Sequence, residues 1–187
     1  MKSGKLLIVA EKPSVANLIA SALGAKKNKS NRLDYFENEK YIITSASGHL
    51  VEYEKPKAKW VLDALPLNGP GKLVPIGRSK LRLDLIKKLT KRVDVIALVN
   101  ACDAGREGEL IFNNVMNYVG INVMDYVRID KPIYRVWLQS MTKDEIRKEF
   151  QNLKPSEKFK GLANAAEART IADWTIGMNG TRALTAW

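Results

Sequence analysis

Leu6 to Ala10 (LLIVA) is an uninterrupted apolar run, the pattern of a strand covered on both faces. Pro13 stands where the first turn of a helix accepts a proline. Val15, Leu18, Ile19, Ala22 and Leu23 follow at helical spacing, up to Gly24 as a C-cap. The chain thus opens as strand, tight turn, helix. Tyr35–Phe36 and Tyr41–Thr44 flank the polar segment Glu37–Lys40 and predict a hairpin over 34–46. From Ser47 to Gly77, Gly, Pro and Lys accumulate without a period. That predicts a long irregular connection, which in compact domains is usually functional or mobile.

Leu81, Leu85, Ile86 and Leu89 recur at helical spacing between Lys and Arg, predicting an amphipathic helix with a basic outer face. Val93–Val99 (VDVIALV) reads as a second buried strand. A helix over 106–119 follows, with Leu110, Ile111, Val115 and Met116 inward, and Ile133–Leu138 reads as a further strand. Thr142 with Glu145 three residues on forms a capping box that starts a helix reaching Leu153. Strands alternating with helices predict an α/β fold with a mostly parallel sheet flanked by helices. Pro155 interrupts the pattern. Beyond it the chain reads as helical, rich in small residues, which divides it into a domain over 1–153 and a helical start of another over 154–187. The four tryptophans are expected mainly in cores, with Trp60, in the irregular stretch, the candidate for another role.

Charge narrows the choice of partner. Lys and Arg outnumber Asp and Glu by 31 to 20, a net charge of +11, which favours a polyanion, nucleic acid foremost. A single cysteine, Cys102, excludes an internal disulfide framework and a cysteine zinc site. The first apolar run is too short for a signal segment, and no stretch reaches the roughly 18 apolar residues of a membrane span. The expectation is a cytoplasmic protein with no membrane partner. Neither a P-loop nor a GxGxxG pattern is present, so no ATP site is expected.

Glu11 follows the first strand directly, and Asp103 follows the second after a short extension. Ligands of parallel α/β sheets gather at the carboxyl ends of strands. If the two strands are neighbours, Glu11 and Asp103 share a crevice, and Glu107, in the first turn of the next helix, can face it. Three carboxylates without His or Cys suit Mg²⁺. A second reading stands beside this one: Asp103 caps the following helix, Glu107 complements its dipole, and Glu11-Lys12-Pro13 is an ordinary turn.

Ala10-Glu11-Lys12-Pro13-Ser14 resembles the opening motif of the Toprim domain of bacterial type IA DNA topoisomerases, particularly the topoisomerase III branch. Asp103-Ala104-Gly105-Arg106-Glu107-Gly108-Glu109 resembles that domain's second motif, DxDxxxE or DxDREGE. Ser47–Glu52 (SGHLVE) resembles the segment between them, Arg135–Thr142 (RVWLQSMT) the domain's last strand, and Arg169–Thr185 the start of the next domain. The segments stand in the family's order and span nearly the whole chain. The resemblance implies a Rossmann-like Toprim domain followed by part of a helical one. Gly105 departs from the pattern, because the family often has an acidic residue there; Glu109 is the acidic neighbour that would compensate. None of Tyr35, Tyr41, Tyr53, Tyr118, Tyr126 and Tyr134 sits in a motif like that of the family's nucleophilic tyrosine.

The implied activity is ATP-independent cleavage, strand passage and religation of single-stranded DNA segments. This chain would act with the rest of a topoisomerase and would be inactive alone. The resemblance assigns Glu11 to proton handling at the 3′-hydroxyl, Lys12 to phosphoryl charge, and Asp103 and Glu107, with Glu11, to Mg²⁺. Arg106 would contact a phosphate or fix a carboxylate. Lys12, His49, Arg169 and Arg182 would meet DNA, against structural roles or plain exposure for His49 and the two arginines. A free-standing Toprim nuclease or primase-like domain and a non-catalytic DNA-binding remnant are the alternatives.

Overall fold

The structure, a computed structural model, describes residues 4–30, 33–57, 59–123 and 130–187; Tyr126 lies outside these. Strand β1 (Lys5–Ala10) leads into α1 (Pro13–Leu23), which ends at Gly24 in the left-handed conformation, φ 71°. An antiparallel ribbon follows, β2 (Lys26–Ser30) with β3 (Leu33–Glu37). It turns into β4 (Tyr41–Ser45) through an Asx turn in which Asn38 Oδ1 accepts from the Lys40 and Tyr41 N–H groups. Strand β2, KKNKS, has no apolar position and carries no strand signal in the sequence; pairing with β3 alone makes it a strand.

The stretch read as irregular contains a small antiparallel pair, β5 (Val51–Tyr53) with β6 (Leu73–Pro75), and a 3₁₀ turn at Leu62–Ala64. Helix α2 (Lys80–Thr90) buries Leu83, Leu85, Ile86 and Leu89; Leu81, expected inward, is exposed. The second buried strand, β7 (Val95–Ala101), lies two residues further on than its apolar run suggests, with Val93 fully exposed. Then come α3 (Arg106–Val119), β8 (Ile133–Arg135) and α4 (Lys143–Gln151), whose N-cap Thr142 accepts from the Glu145 N–H. Strand β9 (Lys154–Pro155) and a 3₁₀ turn at Ser156–Phe159 precede the 27-residue α5 (Lys160–Ala186).

The seven-stranded sheet runs β2-β3-β4-β1-β7-β8-β9, with the four central strands parallel and antiparallel strands at both edges. Alternation along β1 explains its unbroken apolarity. Leu7 and Val9 pack with Ile42, Leu98 and the faces of α2 and α3; Ile8 and Ala10 pack with Ile43, Val99, α1 and α4. Each buried Leu, Ile or Val side chain among these contributes about 1.5–3 kcal/mol. β9 pairs with β8, so the sheet continues to Pro155, just past the boundary read at Leu153. Helix α5 packs against α3, and its Asn179 amide both accepts from and donates to the Leu67 backbone. None of the four tryptophans is fully buried, contrary to their expected place in cores. Among the described residues no helix is long and apolar enough to cross a membrane.

Candidate functional site

β1 and β7 are adjacent and parallel, with Ala10 opposite Ala101, so the chain leaves both strands at the same edge of the sheet. That register brings Glu11 and Asp103 together across 92 positions of sequence: the Asp103 N–H donates to Glu11 Oε2 at 3.4 Å. Lys12 bridges them. Its Nζ lies 3.0 Å from Asp103 Oδ2 and 3.4 Å from Glu11 Oε1. Asp103, with Glu11 behind it, raises the Lys12 ammonium above the usual lysine range.

The loop after β4 turns back over this edge. Ser47 (φ 62°) and Gly48 (φ 80°) are successive left-handed residues, a geometry that a serine adopts only at some cost. The turn is laced to the end of β1 by Ala46 N–H to the Ala10 carbonyl (2.8 Å) and Gly48 N–H to the Glu11 carbonyl (3.0 Å). It presents His49, whose Nε2 is in hydrogen-bond contact with Glu107 Oε1 in the first turn of α3.

Beneath the Asp103 segment lies a buried polar network that the sequence did not single out. Arg135 Nη1 donates to the carbonyls of Asn100, Cys102 and Val136, and its Nη2 donates to that of Asp103. Glu109 faces its Nε at 2.7 Å and also accepts from Asn100 Nδ2. Burial raises the Glu109 carboxyl above its ordinary range, opposed by Arg135. Glu109 therefore points into the protein and does not replace the acidic residue absent at Gly105. The only signals for this network were an Asn and an Arg embedded in otherwise apolar strands.

Gly108 allows α3 to start against Asp103: a Cβ there would lie 2.0 Å from the Asp103 carbonyl oxygen. At Gly105 nothing lies within 4 Å of the Cβ position, so a longer residue there would extend into open space. That space is a cleft of about 620 Å³ lined by Asp103, Arg106, Glu107 and, from α5, Arg169 and Asp173. Arg106 is exposed, with no ion pair among the described residues, whereas Arg169 Nε reaches Asp173 Oδ2 at 3.4 Å. Arg182 is elsewhere. It is 3% exposed, donates to the Pro56 carbonyl at 2.7 Å and lies over the Trp60 ring. Plain exposure, one of the sequence-based alternatives for it, does not describe that position.

The donor chemistry fits a hard divalent cation, since Glu11, Asp103 and Glu107 offer only oxygen. Two carboxylates already share one positive charge, the Lys12 ammonium. Among the described residues no three potential ligands converge on one point, because Glu107 is turned to His49.

The chain matches the Toprim domain family over residues 6–141. It is 42% identical over 188 residues to DNA topoisomerase 3 of Staphylococcus aureus (strain USA300), and 41% identical over 189 residues to DNA topoisomerase 3 of Staphylococcus haemolyticus (strain JCSC1435). Both alignments cover 97% of this chain and 25% of the relative, so the chain spans about a quarter of the length of these relatives.

Proposed function

This chain belongs to the Toprim domain family, and on that premise we propose that it is the Mg²⁺- and DNA-binding part of an ATP-independent type IA DNA topoisomerase of the topoisomerase III branch. The observation that carries this reading is the meeting of Glu11, Lys12 and Asp103 at the ends of two adjacent parallel strands, with Glu107 on the helix that follows. The whole enzyme cleaves one DNA strand, passes another and reseals the first. The tyrosine nucleophile belongs to another part of such an enzyme, so the present segment binds without relaxing supercoils. Its place is with single-stranded segments of DNA in the cytoplasm.

Asp103 and Glu107, with Glu11, are the residues that would hold Mg²⁺. When bound, the ion supplies positive charge that orients a 3′-hydroxyl and the scissile phosphate. Glu11 would take or return the proton of that hydroxyl. Lys12, shared here between two carboxylates, would stabilise charge on the phosphoryl group. Arg106 opens the first turn of α3, where backbone N–H groups already favour anions, and contacts a phosphate there. His49, in contact with Glu107, and Arg169, which lines the same cleft as Glu107, meet the DNA strand, while Arg182 holds the Pro56 carbonyl and the Trp60 ring. The domain division accompanies this reading: residues to 153 form the Toprim domain, and α5 begins the next.

Calorimetric titration with Mg²⁺ tests the assignment. Saturable binding is expected, weakened in both Asp103→Asn and Glu107→Gln. Unchanged affinity in both variants would refute the ligand set. Mg²⁺-dependent phosphodiester cleavage by the chain alone, without a covalent protein–DNA adduct, would instead favour a Toprim nuclease.

A further inference from the structure

The sheet opens on the far side of β4. β3 and β4 pair only at Phe36–Ile43 and Glu37–Ile42, although β4 continues to Ser45. β3 stays with β2 along its whole length, from Lys26–Glu37 to Ser30–Leu33, so beyond Ile43 the two neighbours are no longer paired. In this region lies a cavity of about 180 Å³, lined by Asn17, Lys27, Asp34, Thr44, Ser45 and Arg82 among others. It shares no lining residue with the cleft at Asp103 and Glu107.

Two independent observations mark it as built for a ligand. Thr44 is 1% exposed, and its hydroxyl has no hydrogen-bond partner among the described residues. Buried polar groups in folded proteins are nearly always satisfied, so an orphan in a cavity wall calls for an occupant. Arg82 is half-buried. Its Nη1 donates to the Asp34 backbone carbonyl at 3.2 Å, and no carboxylate lies within ion-pair distance of it among the described residues. The one acidic side chain in the wall, Asp34, forms its direct ion pair with Lys27 at 2.6 Å and acts on Arg82 only at longer range, so two cations share one carboxylate. A guanidinium in partial burial and a hydroxyl without a partner among the described residues, with an excess of one positive charge over Asp34 in the wall, match a tetrahedral oxyanion better than a cation.

We infer that this cavity is a binding site for a phosphate-class oxyanion, held by the Arg82 guanidinium and the Thr44 hydroxyl beside Lys27. The position gives it a use. Ser45 lies opposite Ala10, the residue before Glu11, so the cavity sits one strand away from Glu11 at the same end of the parallel strands. The phosphate can come from a DNA backbone following that end of the sheet or from a free anion. Neither source depends on Mg²⁺ binding at Asp103, so the inference stands or falls apart from the topoisomerase reading.

The test is calorimetric titration of inorganic phosphate into the chain at low ionic strength, against chloride at matched ionic strength. Thr44→Val and Arg82→Gln are measured beside it, with folding checked by circular dichroism. Saturable phosphate binding is expected, weakened about tenfold or more in Arg82→Gln and clearly reduced in Thr44→Val. No phosphate binding beyond chloride, or equal binding by both variants, overturns the site. If Thr44→Val fails to fold, Arg82→Gln at the half-buried rim decides alone. Competition with an oligothymidylate then separates the sources. Displacement of phosphate supports a backbone phosphate as the occupant, and simultaneous binding supports a free anion.

Discussion

Arg135 and Glu109 face each other at 2.7 Å with side chains 0% and 5% exposed, and the same guanidinium holds the Asp103 carbonyl at 2.7 Å. The pair therefore ties the start of α3 to the segment that carries Asp103. An ion pair so deep is a weak source of net stability, but removing one partner strands the other charge. Arg135→Met is expected to cost about 3–5 kcal/mol in urea denaturation. Arg135→Met combined with Glu109→Leu should cost clearly less than the sum of the single changes. Strict additivity would show that the two side chains do not act as a pair.

Gly108 is where α3 meets Asp103 most closely. The 2.0 Å approach of an added Cβ to a backbone oxygen has no flexible side chain to absorb it. Gly108→Ala should destabilise the chain by about 1–3 kcal/mol despite alanine's better helix propensity. It should also weaken Mg²⁺ binding, since Asp103 must move. A neutral or stabilised variant would show that the segment yields freely.

Cys102 is buried beside Asp103, and burial pushes its thiol far above the ordinary range. It should resist iodoacetamide in the native chain and react promptly in guanidinium chloride. Fast native labelling at neutral pH would contradict the packing at the end of β7.

At the opposite end of the sheet, the Arg92 guanidinium holds Asp94 at about 2, well below the usual carboxylate range, and also lowers Glu37, aided by Lys5. Because both folded values are depressed, their contribution is complete above the unfolded carboxylate range of about 4. It is lost as pH falls from there towards about 2. Solvent around Asp94 limits its share to about 1 kcal/mol or less. Chemical denaturation between pH 5 and pH 2 should show a shallower acid loss in Asp94→Asn than in the parent (a range set by the carboxylate values, about 2 to 4). Identical slopes would remove Asp94 from the account.

If DNA follows the cleft at Asp103, its affinity should fall steeply with salt as phosphate contacts release counterions. Arg169→Ala, on α5, should weaken binding and lower the slope of log affinity against log salt by about one unit. Fluorescence anisotropy with a labelled oligothymidylate measures both, and a flat salt response would exclude phosphate contacts as the source of binding.

Local chemistry was legible in the chain itself. The runs around Leu6–Ala10 and Val93–Val99 announce strands covered on both faces, the second with its start two residues early, and Pro13, Gly24 and Thr142 with Glu145 mark helix ends, because burial period and capping depend on residues a few positions apart. The acidic residues at the strand ends were visible for the same reason. Only the tertiary structure decided that β1 and β7 are neighbours, which turns two separate strand ends into one site. It alone made a strand of the wholly polar Lys26–Ser30, set His49 on Glu107 across 58 positions, and turned Glu109 inward to Arg135. It also left Trp60 half-exposed against the buried Arg182. Each of these depends on long-range register and on which charge finds a partner when water is removed, and neither is encoded in any short stretch of sequence.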